Sequence, residues 1–204
     1  MKIYAVADIH GARERERRAI ELASESDLAI VCGDITQFGP PEDAKRFLDK
    51  MGDVVKTLAL PGNCDEPGTI EAIEASAAKN IHNNRIEFQG FPFFGYSGSS
   101  PFGEEEETYD SLKRLAKEKG VLCTHAAPKG HLDLTLGGYS IGSGAVLRVI
   151  EETKPVLSLF GHVHEGVGSE IYKGSWLVNC SSGWRGNGCY VDLGPGVEGI
   201  TFLD

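Results

Sequence analysis

Residues 2–34 read KIYAVADIHGARERERRAIELASESDLAIVCGD, and the alternation inside this stretch decides the fold. KIYAVAD is a short apolar run that stops at an acid, Asp8. RERERRAIELASES follows, with charges on one side and Ala19, Ile20, Leu22 and Ala23 clustered as an amphipathic helix requires. DLAIVCGD then repeats the apolar run with an acidic end, Asp34. Further along, PEDAKRFLDKMG is helical in character with a stop at Gly52, and VVKTLALPGNCD is a third apolar run. The order βαβαβ predicts parallel strands joined by crossover helices, with polar groups gathered at the carboxyl ends of the strands.

The middle changes character. RIEFQGFPFFGYSG is dense in Phe and Gly and suits two short strands with a loop, and EEEETYDSLKRLAKEKG is the helix after it. The acid-first, base-last order of that helix complements its dipole, so the acid run reads as a solvated helix start. VLCTH is another apolar run with a polar end. It leads through a Gly-rich loop into a helix, AVLRVIEET, and PVLSLFGHVH repeats the arrangement. The remainder, from Glu170 to Asp204, alternates β-prone runs with Gly, Asn and Pro turns, as antiparallel strands would.

With 204 residues, 41% hydrophobic and 25% charged, the chain fits a single globular domain over residues 1–204. No apolar run approaches the roughly 20 residues that span a bilayer, and MKIYAVADIH lacks the pattern of a secretory signal, so a cytoplasmic protein without a membrane partner is expected. A formal net charge of -10 argues against a nucleic-acid partner and leaves room for a small anionic substrate held by local cations. Five cysteines without CxxC spacing point to reduced thiols, although Cys180 and Cys189 would pair if their runs lie side by side. A homodimer is the general expectation for a small enzyme that assembles.

Five apolar runs thus end in Asp, Asn or His: Asp8 and His10, Asp34, Asn63, His125, and His162 with His164. All are oxygen or imidazole donors of the kind that borderline and hard divalent metals accept. Seven such groups exceed what one ion commonly takes from protein and suit two ions sharing a carboxylate. The competing interpretation makes each acid a helix cap and each histidine incidental. It holds easily for one strand end and poorly for five together.

The motifs DIH (8–10), GD (33–34), GNCD (62–65), TH (124–125) and GHVH (161–164), in that order, resemble those of the calcineurin-like metallophosphoesterases, especially their short bacterial and archaeal phosphodiesterase-like members. The resemblance runs from Asp8 to His164. It implies an α/β fold, a four-layer αββα sandwich of two mixed β-sheets flanked by helices. It also implies two divalent ions, Mn²⁺ first, with Fe, Ni or Zn as alternatives. By motif position Asp8, His10 and His164 would hold one ion, Asn63, His125 and His162 the other, with Asp34 between them. Asp8, Asp34 and Asn63 would also act in catalysis, and Ser97 to Phe102 would border the substrate. The implied activity is hydrolysis of a small phosphoester, a diester before a monoester, by a metal-bridging hydroxide. A non-catalytic binding module on the same fold is the alternative.

One departure stands out: GNCD places Cys64 where the family often has a histidine that contacts the phosphate and protonates the leaving group. A thiol with an ordinary pKa near 8.5 is poorly matched to that task. Cys64 is therefore a space-filler at the pocket edge, a weak proton donor or an occasional metal ligand. Lys129 and Arg185 are the nearest cations in sequence to the expected pocket, with surface charge the simpler reading. His131 is a loop histidine, His82 a surface one, and Trp176 and Trp184 are packing residues.

Overall fold

The computed structural model describes residues 1–99, 102–117, 119–183 and 186–204. The opening stretch forms β1 (Lys2–Val6), α1 (Arg13–Ala23) and β2 (Leu28–Cys32), and continues through α2 (Pro41–Val54), β3 (Thr57–Leu60), α3 (Thr69–Glu74) and β4 (Lys79–Asn80). Strands β1 to β4 pair in parallel. A hairpin follows, β5 (Asn84–Phe88) and β6 (Phe91–Tyr96), then α4 (Glu105–Leu115), β7 (Val121–Thr124), α5 (Gly144–Thr153) and β8 (Leu157–Phe160). The chain ends in β9 (Gly168–Tyr172), β10 (Ser175–Asn179), β11 (Cys189–Leu193) and β12 (Val197–Phe202).

Among the described residues, twelve strands form two six-stranded sheets, ordered β12-β11-β1-β2-β3-β4 and β5-β6-β7-β8-β10-β9. Strand alternation explains how they stack. Ile3, Ala5, Leu28, Ile30, Leu58 and Leu60 face inward against Phe93, Val121, Leu157 and Leu159 of the second sheet. Tyr4, Val6, Ala29 and Val31 face outward under Phe47, Leu48 and Met51 of α2 and Leu22 of α1. On the other side Phe94, Leu122 and Phe160 lie under Leu112 of α4 and Val149 of α5. Both faces of each sheet are covered, which is why the central strands are mostly apolar. The result is the αββα sandwich that the resemblance implies.

Two expectations change. Helix α2 does not stop at Gly52; it runs on to Val54, and a Cβ on Gly52 would lie 2.4 Å from the Ala77 Cβ, so the glycine serves close packing. The C-terminal portion from Glu170 is not one antiparallel set: β10 pairs in parallel with β8, whereas β11 joins the other sheet antiparallel to β1. Cys180 and Cys189 therefore sit on opposite sheets, and all five cysteines are buried free thiols. Among the described residues no helix is long and apolar enough to cross a membrane.

Candidate metal centre

Strands β1, β2 and β3 are parallel neighbours, and so are β7 and β8, so the loops at their carboxyl ends emerge on one rim. Backbone hydrogen bonds continue past the strands: Asp8 N–H donates to Gly33 O at 3.1 Å and His10 N–H to Asp34 O at 2.9 Å. The loops turn sharply at the polar residues themselves. Asp8 (φ 61°), His10 (φ 53°), Asp34 (φ 50°) and His162 (φ 70°) all adopt the left-handed conformation. Each costs about 1–3 kcal/mol in a non-glycine residue, and such strain concentrates at working sites. The helix-cap alternative fails here, because Ala12 and Pro40 are the N-caps of α1 and α2 and neither helix has a side-chain cap.

Asp8 and Asp34 are buried, at 0% and 2% exposure. Asp34 lies between two histidines: its Oδ1 is 3.4 Å from His125 Nε2 and its Oδ2 is 3.8 Å from His10 Nε2. Cys64 N–H donates to Asp34 Oδ1 at 2.7 Å and fixes the carboxylate. Asp8 Oδ1 is 3.5 Å from His164 Nε2, and His162 N–H points at both Asp8 oxygens, at 3.3 and 3.2 Å. The Nε2 atoms of His10 and His164 face each other at 3.1 Å. His125 Nδ1 meets the Cys32 carbonyl oxygen at 2.9 Å, which aims Nε2 into the site, 2.9 Å from Asn63 Oδ1. A Cβ on Gly62 would fall 2.3 Å from Asp34 Oδ1, so only glycine lets the third loop approach this closely.

This donor set fits a metal ion. Ligands about 2.1 Å from one ion, spread by roughly 90–110°, stand about 3.0–3.4 Å apart. The His10–His164 and Asp34–His125 separations fall in or at the edge of that range. Among the described residues, His10 Nδ1 is buried without a hydrogen-bond partner, so the polar contacts of this ring are made at Nε2, on the side of the site. Three clusters keep all their donor atoms within 4.8 Å of one another: Asp8 with His10 and His164, His10 with Asp34 and Cys64, and Asp8 with Asp34 and His125. His162 joins through its backbone and through its ring, edge-on to His125 at 5.1 Å between centroids.

Electrostatics divides the groups. Burial opposes a charge on His125, but Asp34 and Asp8 overcome it and raise its pKa to about 9. His164 is raised by its hydrogen bond to Asp8. Burial, with His125 nearby, lowers His162 to about 4, and His10 is also lowered by burial. Despite burial, Asp34 is held well below the usual carboxylate range by His125. Burial and the Asp34 charge push the Cys64 thiol up to about 12.

The cleft is lined by His10, Arg15, Asp34, Gln37, Asn63, Cys64, His162 and His164. Arg15 and Gln37 escape sequence reading. The Arg15 guanidinium donates to the carbonyl oxygens of Asp8 (3.2 Å) and Gly183 (2.7 Å). Helical side chains tilt toward the N-terminus, so an arginine in the first turn of α1 reaches back to the DIH loop; that geometry was the available signal. Asp65 is also missed. Buried at 2% exposure, it accepts N–H bonds from Ile35 (3.1 Å), Thr36 (2.7 Å) and Gly62 (2.9 Å), tying the second and third loops together.

Other expected residues lie elsewhere. Lys129 is exposed and outside the cleft. Ser97 is fully buried behind the site, its carbonyl accepting from His125 N–H at 2.8 Å, and Phe102 is buried away from it. Ser100, Pro101, Trp184 and Arg185 lie outside the described residues. His131 binds Glu170 on β9 at 2.5 Å. His82 is not a surface histidine: its Nδ1 accepts from Ser97 N–H at 3.1 Å, and burial lowers its pKa to about 4. Trp176 packs against the inter-sheet core, and the acid run leads into α4 exposed.

Comparison with known proteins agrees with this picture. The calcineurin-like phosphoesterase family matches residues 1–166. An uncharacterized protein of Methanocaldococcus jannaschii is 31% identical over 180 residues, 81% of each chain. The human metallophosphoesterase domain-containing protein 1 is 22% identical over 195 residues, which cover 76% of this chain and 59% of that one. The crystal structure of TT1561 from Thermus thermophilus superposes with a TM-score of 0.76 at 18% identity, over 100% of this chain and 98% of the other.

Proposed function

The chain belongs to the calcineurin-like phosphoesterase family, and on that premise we propose that it hydrolyses small phosphoesters, diesters before monoesters, at a centre of two divalent ions. One observation carries the reading: the two oxygens of Asp34 face different histidines, Oδ1 toward His125 and Oδ2 toward His10. Asp34 stands between the two sets in the proposed assignment, with Asp8, His10 and His164 on one side and Asn63, His125 and His162 on the other. Bound divalent ions supply Lewis acidity, lowering the pKa of a water and offsetting charge on the phosphoryl oxygens. The donor chemistry suits Mn²⁺, Fe²⁺, Ni²⁺ or Zn²⁺.

The chain's own groups do the rest. Despite burial, His125 and the Cys64 N–H keep Asp34 ionised, and the Cys64 N–H fixes its orientation. Asn63 presents a carbonyl oxygen into the site beside His125, and Arg15 brings positive charge to the cleft wall. A thiol at Cys64 is a weaker hydrogen-bonding group than the imidazole the family often has there, and its ordinary pKa near 8.5 matches proton donation at neutral pH poorly. The leaving group then departs with little protein-derived proton help, which favours esters with good leaving groups. A net charge of -10 supports a small substrate over nucleic acid.

The deciding experiment titrates chelator-stripped protein with Mn²⁺ while following bis(p-nitrophenyl) phosphate hydrolysis, with Asp34→Asn in parallel. Activity that rises with metal and disappears in the variant is expected. Metal binding without hydrolysis of this diester or of a monoester would overturn the reading and favour a binding module.

A further inference from the structure

A second recess adjoins the metal centre and differs from it in chemistry. It has a volume of about 360 Å³, and its lining includes His164, Val167, Gly186, Gly188, Phe202 and Leu203. His164 also lines the metal cleft, so the two recesses share a wall. The cleft is walled by imidazoles, a carboxylate, amides and Arg15, whereas the recess is walled mostly by apolar side chains and glycine backbone. Among the described residues, the carboxylate of Asp204 is its one lining group of fixed charge. A carboxylate repels a phosphoryl group, so an ester spanning both recesses has one favourable orientation, with phosphorus at the cleft and its apolar substituent in the recess.

The recess is built rather than incidental. Leu203 is pinned to the segment leading into β11 by two backbone bonds, Leu203 N–H to Gly188 O at 3.0 Å and Asn187 N–H to Leu203 O at 2.8 Å. Phe202 pairs with Cys189 across β11 and β12 and packs on the inter-sheet core. The Tyr4 hydroxyl donates to Asn187 O at 2.7 Å from beneath. Val167 is 39% exposed and directly follows the 3-10 turn His164–Gly166 that carries the proposed ligand histidine. An apolar cavity of about 150 Å³ already accepts benzene. A volume of about 360 Å³ therefore accommodates a substituted ring or a short branched alkyl group.

We propose that this recess binds the apolar ester substituent of the substrate, aryl or short alkyl, and makes the enzyme selective for phosphoesters that carry one. The proposal rests on the metal centre being the phosphoryl site. Its test uses equilibrium binding, so it does not depend on turnover. Calorimetric titrations of Mn²⁺-loaded protein would compare phenylphosphonate with methylphosphonate, which share the phosphoryl head and differ in the group aimed at the recess. Phenylphosphonate should bind about tenfold more tightly, the usual worth of a modest apolar contact in a pocket. Val167→Asn should remove that advantage and leave methylphosphonate unchanged, and the milder Val167→Ala should remove part of it. Equal affinities in the unmodified protein, or an aryl preference that survives Val167→Asn, would overturn the proposal alone. Failure of both phosphonates to bind would remove the phosphoryl-site reading, and this proposal with it.

Discussion

The two sheets contribute unequally to the metal centre. The first delivers both carboxylates, the amide of Asn63 and one imidazole, His10, on three loops that are bonded to one another. The second delivers only imidazoles, on two loops joined by a single backbone bond between Gly161 N–H and His125 O at 3.1 Å. Without metal, a wall that carries the acids faces a wall that carries His125 and His164, both raised by those acids. Protons on the second wall then do part of the charge balancing that ions would do. The first wall is held by its own backbone, and the second is drawn in by charge.

The largest expected effect comes from removing the charge at the seam. Asp34→Asn should lower kcat/KM for bis(p-nitrophenyl) phosphate by about 10³-fold, because several kcal/mol of ionic stabilisation rest on that group. An unchanged circular dichroism spectrum would show that the loss is chemical; a small loss of rate would show that the two walls do not meet through Asp34.

Stability separates the walls next. Asp65→Ala strips the acceptor from three buried N–H groups of the first wall and should destabilise the protein by about 3 kcal/mol in urea unfolding. A change under about 0.5 kcal/mol would mean that the loops need no such tie.

The pH dependence tests the charge across the seam. His125 is raised from 6.5 to about 9 in the folded protein, so its contribution to stability is fully present below pH 6.5 and is lost as pH rises through 9. Chelator-stripped protein should lose stability across that window in thermal melts at successive pH values. Metal binding displaces the same proton, so affinity for Mn²⁺ should rise with pH up to about 9, by about tenfold per unit for one proton. A pH-independent affinity would place a neutral imidazole at His125.

Smaller effects follow at the rim. Cys64→His should speed hydrolysis of esters with poor leaving groups by about tenfold and barely alter those with good ones. Equal acceleration of both would show that proton donation is not what the cysteine lacks. Lys129→Ala, at a cation the fold leaves outside the cleft, should change neither kcat/KM nor stability by more than about 0.5 kcal/mol.

Much of this was legible in the chain, and for a physical reason: a parallel strand buried on both faces is apolar until it stops, so Asp8, Asp34, Asn63, His125 and His162 mark their own strand ends. Arg15 was hidden because a charge inside RERERR looks like its solvated neighbours until the helix has a fixed orientation. Asp65 was hidden because an acid that accepts backbone bonds carries the same letter as one that faces solvent. The switch of sheets between β10 and β11 left no mark, since β-prone runs separated by glycines read alike whether or not they pair. Helix α3 and strand β4, six and two residues long, are too short to show a period.

Strand β1 lies between β2 and β11, with Lys2 to Ala5 paired to residues 189–192. During synthesis at roughly 5–20 residues per second, β1 acquires its β2 neighbour early and then waits for nearly all of the rest of the chain. Until β11 arrives, one edge of the first sheet is open, and the carbonyls of Asp8 and Gly183 that Arg15 bridges have not met. The nascent protein thus carries Asp8 and Asp34 long before the Gly183 loop that Arg15 ties to Asp8, and the second edge of β1 closes only when β11 pairs with it.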